Sequence, residues 1–145
     1  MELFWGVILI IFTLLLCWLA QSITLLAPQL AVKLTLTEQE TEVDKAFYAD
    51  VRGEAIWDTL ILWTLPITGI LLILDNALWA YFGLIGGGSY LYFAGRGIAT
   101  RISLQRRGIR IGAPGMLKLY YVFLTIWGLI ALITILMAIR ELPIL

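Results

Sequence analysis

The stretch that decides the fold is residues 59–95, TLILWTLPITGILLILDNALWAYFGLIGGGSYLYFAG, in which Asp75 is the only charged residue. It reads as two apolar helices folded back on each other through Asp75-Asn76. A connection that short makes its two arms antiparallel neighbours. The first arm, Thr59–Leu74, has 16 uncharged residues. At about 1.5 Å per residue they cover only ~24 Å of a bilayer core ~30 Å thick. The arm crosses only if Ala55–Trp57 join it and a partner holds Asp58 inside the interface; otherwise it forms a buried or re-entrant hairpin. The second arm, Asn76–Gly95, is long enough and ends at Arg96. Pairing about the turn sets Pro66 opposite Gly86-Gly87-Gly88. Pro66 frees a backbone carbonyl one turn upstream, and Thr64 and Thr68 are placed to satisfy it. Gly83-xxx-Gly87 is a small-xxx-small contact on a stripe that continues through Tyr90, Ala94 and Gly97. Pro66, Gly83, Gly86, Gly87 and Gly88 are therefore the expected helix-packing residues.

Two further uncharged stretches flank this hairpin, Leu3–Val32 and Leu119–Ile139. With 61% hydrophobic and 14% charged residues in 145, the composition is that of a membrane protein of one domain. The expected fold is all-α, a four-transmembrane-helix antiparallel bundle with spans at about 3–26, 55–74, 77–95 and 117–139. The first span is expected to be retained rather than cleaved. Glu2 is its only early charge, and its apolar run is too long for a secretion signal.

Nine of the ten Lys and Arg residues fall in the loops on one side of these spans. They are Lys33, Lys45 and Arg52, then Arg96, Arg101, Arg106, Arg107, Arg110 and Lys118. Basic residues in short loops resist translocation, so both long loops are expected to be cytoplasmic and both chain ends outside. A bacterial cytoplasmic membrane is the expected location. In the first loop, after Pro28 and a β-prone run over Val32–Leu36, Thr37-Glu38-Gln39-Glu40 reads as a capping box. Val43, Phe47, Val51 and Ala55 follow at four-residue spacing. This predicts a cytoplasmic amphipathic helix over about 38–53, bent or interrupted near Gly53, that leads into the second span. Its mixed to acidic polar face suits docking to protein better than lying on an anionic surface. The second loop, about 96–116, is basic and broken by Gly108, Gly112, Pro114 and Gly115.

The chain has no histidine and one cysteine. That argues against a metal site, a dithiol centre and a nucleophile–histidine pair. No cofactor is expected, and no catalytic or metal-ligating residue is assigned. Charge at the inner mouth of the hairpin is the leading constellation: Arg96 comes level with about Ala55–Ile56, flanked by Glu54 and Asp58, with Arg101 slightly beyond. Such charges are costly unless paired. The expectation is a structural clamp, with an anion or headgroup site as the functional alternative. Arg101, Arg106, Arg107, Arg110 and Lys118 are candidates for contact with anionic lipid headgroups. Thr13, Cys17, Gln21 and Thr24 form a polar line on the first span, a pattern that mostly serves helix packing. Nucleic acid is not an expected partner.

The resulting expectation is a non-catalytic subunit, scaffold or assembly factor that binds itself or other membrane proteins. A membrane-embedded enzyme on lipophilic or glutathione-type substrates, an oligomeric channel and a lipid carrier are the alternatives. In size, four spans and outward N-terminus the chain resembles the membrane-associated eicosanoid and glutathione metabolism family. The resemblance is one of topology. Lys45–Glu54 does not reproduce that family's Arg/Asn/Glu signature at the start of the second span, so no residue role is carried over.

Overall fold

The computed structural model describes residues 2–142. The two chain ends, whose side the topology expectation assigns, lie outside them. Every regular element among the described residues is helical. The first helix runs over Glu2–Leu26, as α1 (Glu2–Leu9), a π-helical stretch (Ile10–Trp18) and α2 (Leu19–Leu26). Short α3 (Pro28–Lys33) follows. Then come α4 (Lys45–Ile61), α5 (Thr64–Ile73), α6 (Trp79–Arg106) and α7 (Pro114–Glu141). Among the described residues, three helices are long and apolar enough to cross a membrane: Glu2–Leu26, Lys45–Ile73 and Pro114–Glu141. The glycines and tyrosines of α6, with its arginines, leave it outside that group.

The hairpin is the spine of the fold. α6 packs along α7 on one side and α5 on the other, and α1 lies against α5. Side chains close the ring: Trp5 Nε1 donates to Thr134 Oγ1 at 3.1 Å, and Trp127 Nε1 donates to the Phe12 carbonyl at 2.8 Å. Tyr90, fully buried, donates to the Thr13 carbonyl at 3.0 Å. These last two donors take carbonyls inside the π-helical stretch, where wider turns expose backbone oxygens to side chains. The core along this axis holds Leu9, Cys17, Leu65, Phe93, Leu124 and Trp127.

The expected glycine face divides between two neighbours. A Cβ on Gly86 would lie 2.6 Å from the Leu65 nitrogen, so α6 reaches α5 backbone to backbone there. Gly87 instead meets Ile135 and the Ala131 carbonyl of α7. Gly83 sits between Thr68 and Thr134, while Gly88 faces open space. Successive helical residues are turned by 100°, so one run of three glycines serves three directions.

Three local expectations are corrected. The helix after the first loop begins at Lys45 rather than near Glu38, because Asp44 is its cap, accepting from the Ala46 amide at 2.8 Å. Thr37 and Glu38 are buried instead, and Glu40–Glu42 is only a 3₁₀ turn. Helix α4 also runs unbroken through Gly53 to Ile61, so no separate helix precedes the second span. The interruption falls at Leu62–Trp63. The Pro66 ring clashes with the carbonyl four residues earlier, that of Leu62, whereas an exposed helical glycine costs only about 1 kcal/mol. Thr64 Oγ1 and Thr68 Oγ1 donate to the carbonyls of Ile61 and Thr64, at 2.8 and 3.1 Å. Finally, the β-prone run Val32–Leu36 starts inside α3 and ends in a turn, with Thr35 at φ 54°.

Candidate functional site

The break before Pro66 decides what lies below it. Above the break, Gly86 holds α6 against α5; below it, α4 turns away from α6 and packs on α2. Arg52 ties that second contact. Its guanidinium donates to the Thr24 carbonyl and, at 3.2 Å, to that of Leu25. These belong to the last turn of α2, where carbonyls lack helical partners and the dipole favours a cation. Sequence reading gave Arg52 only a topological role.

The divergence opens a groove of about 750 Å³ between α4 and α6. At its end farther from the Asp75-Asn76 turn, Arg96 bridges two carboxylates one helical turn apart, Glu54 and Asp50, the latter at 2.7 Å. Asp50 was absent from the expected cluster, although its i, i+4 relation to Glu54 places both on one face of α4. Asp58 lines the same groove and makes no salt bridge with Arg96. It is 5% exposed, and its Oδ2 has no hydrogen-bond partner among the described residues. The neighbouring Thr59 carbonyl accepts from Trp18 Nε1 at 3.0 Å, which sets Asp58 near the level of Trp18, about two thirds of the way along the first helix. The groove is edged by two exposed rings, Trp57 and Tyr92. Its charged groups are three carboxylates against one guanidinium.

Arg101 belongs to a different place. It is 7% exposed, stacked at 4.8 Å on the Tyr120 ring and 5.8 Å from that of Phe47. One guanidinium nitrogen donates to the Gly97 carbonyl at 3.1 Å, and Nε has no partner. The aromatic rings that cover it keep it from the surface. Arg106, Arg107, Arg110 and Lys118 are exposed.

Above Arg101, α2 has followed α4 away from α7, leaving a second, smaller cavity of about 180 Å³ between the first helix, α6 and α7. The polar line divides here. Thr13 is spent on the Leu9 carbonyl, while Cys17, Gln21 and Thr24 line the cavity. The first loop closes the end of the cavity beside Arg101. Tyr120 donates to the Leu36 carbonyl at 3.0 Å and lies 3.2 Å from Glu38 Oε2. Burial pushes the Glu38 carboxyl above its ordinary value, an effect opposed by its backbone hydrogen bond, the Tyr120 hydroxyl and the charge of Arg101. Gly112, at φ +114°, lies flat against this carboxyl, and any Cβ there would strike it. The two loops are further joined by the Asp44 amide donating to the Arg110 carbonyl at 2.7 Å. A satellite core of Val43, Phe47, Ile111 and Leu117 lies beneath them.

Among the described residues there is no group of three His, Cys, Asp or Glu side chains able to hold a metal ion. No protein-family model, no curated protein and no solved structure matches the chain.

Proposed function

We propose that this protein is a non-catalytic, four-span membrane component that acts by docking a helix of another membrane protein into the groove between α4 and α6. In this reading α6 is the third span, both long loops are cytoplasmic, and the chain ends are outside, in a bacterial cytoplasmic membrane. The observation that carries it is Asp58. A carboxylate at this depth is costly to leave alone, and intramembrane acids pair with cations or hydrogen-bond donors. The complement to a groove with excess negative charge is a helix bearing a lysine, arginine or amide. Gly88 leaves room for the close approach of such a helix, and the Trp57 and Tyr92 rings offer aromatic contact on either side. Exposed Arg106, Arg107, Arg110 and Lys118 would hold anionic headgroups at the same surface, each worth about 1 kcal/mol.

The test is purification from native membrane in mild detergent, comparing the wild type with Asp58→Leu. The wild type should carry a second membrane protein in fixed stoichiometry, and Asp58→Leu should lose it while keeping its helical content and elution as a folded species. A wild type that elutes alone as a monomer, or a complex indifferent to Asp58→Leu, would refute the proposal. A complex containing only further copies of this chain would replace the foreign partner by self-assembly.

A further inference from the structure

The second cavity carries an inference separate from the groove. We infer that it binds a single-chain amphipathic anion, with the head on Arg101 and the chain between the first helix and α7. Arg101 is more than nine-tenths buried, yet no carboxylate oxygen among the described residues lies within salt-bridge distance. The aromatic faces around it stabilise its charge without neutralising it. A buried guanidinium is matched by a carboxylate or phosphate, which can take two parallel N–H bonds. The unpartnered Nε is one such donor. Glu38 is near enough for its charge to act on Arg101, but it forms no salt bridge with it, lies against Gly112, and is not among the residues that line the cavity.

The rest of the cavity fits the chain of such a molecule. Near Arg101 its wall is polar, with Thr35 and Thr37, and its one carboxylate, Glu54, is paired with Arg96; deeper, it is formed by Phe93, Phe123, Leu124 and Trp127. Polarity thus runs along the cavity in the order that an amphiphile requires. Leu16 and Leu119 both line it and are both exposed, so it opens sideways toward the bilayer, the source of such ligands. About 180 Å³ is well under the ~300–1,000 Å³ of sites for drug-sized ligands, which selects one chain over a two-chain lipid.

The experiment uses the full chain in lipid nanodiscs and a decanoic acid carrying a photoreactive diazirine at its chain end, with labelled peptides mapped by mass spectrometry. Label is expected on the segments around Leu16–Ala20 and Phe123–Trp127. Decanoate or decyl phosphate should compete at a concentration about tenfold lower than decanol or decylamine, the effect of one charge-assisted hydrogen bond. Whichever anion competes better identifies the head, carboxylate or phosphate. Arg101→Gln should abolish the preference for anions. Should that variant misfold, Ala20→Phe, which fills the cavity and leaves Arg101 in place, should abolish labelling of these segments. Equal competition by decanol and decylamine, or labelling unaffected by Ala20→Phe, would overturn the inference. The groove and its partner do not enter this readout, so it can fail while the docking proposal stands.

Discussion

Single side chains in this molecule are set less by their own charge than by what covers them. Glu38 illustrates this with a sign that can be measured. Burial raises its carboxyl above the ordinary 4.5, so the folded state favours the neutral form. Its contribution to stability is fully present below the unfolded value and is lost as pH rises through the raised folded value. Glu38→Gln holds the neutral form at every pH. The stability of the variant relative to wild type, followed by denaturant unfolding in detergent, should therefore increase from pH 4.5 toward neutrality. A gap independent of pH would mean that Glu38 is solvated in the folded protein. The loop sequence offered a different role for this segment, a helix cap, because Thr37 and Glu40 have the right spacing. Tyr120 is more than eighty residues away, and nothing local shows that its hydroxyl reaches Glu38.

At the scale of helices, the three consecutive glycines of α6 divide their work by direction. Gly86 touches the backbone of Thr64 and Leu65, which cannot move aside as a side chain can. Gly86→Ala should destabilise the protein by about 1–3 kcal/mol, the usual cost of overpacking. Gly88→Ala meets no atom within 4 Å, so it should be neutral or gain up to about 1 kcal/mol of helix propensity. Thermal unfolding of both variants in one detergent measures the difference. Equal shifts would mean that α5 and α6 are further apart than described. That α6 has a small face was legible from the Gly83–Gly97 stripe, but Gly87 and Gly97 turn that stripe to α7, and Gly86, off the stripe, meets the hairpin partner. Which glycine meets which helix was not legible, because it depends on rotation of α6 about its own axis.

For the whole molecule the decisive property is its orientation. Glu2, Asn76, Glu40 and Arg106 are all exposed, so cysteines at these positions can be reached by a thiol reagent. In a Cys17→Ala background, an impermeant reagent applied from outside should label Glu2→Cys and Asn76→Cys, and spare Glu40→Cys and Arg106→Cys. The opposite pattern would reverse the assignment of the basic loops. Label at both Asn76 and Arg106 would instead place α6 outside the set of spanning helices.

The helical membrane class, the hairpin about Asp75-Asn76 and the one-sided basic loops follow from the sequence by itself. Apolar length, turn length and charge distribution are local properties of the chain, and a bilayer acts on them directly. Tertiary structure decided the sites. Proximity of Arg96 to acids of α4 was legible from counting residues back from the turn. The choice of Asp50 and Glu54, with Asp58 left alone, depends on the break that Pro66 places at Leu62–Trp63. The same divergence separates α2 from α7 and leaves Arg101 facing a cavity rather than the protein surface. A difference of one residue turns a side chain by 100°, so hydropathy can define a helix without defining which neighbour each of its faces will meet.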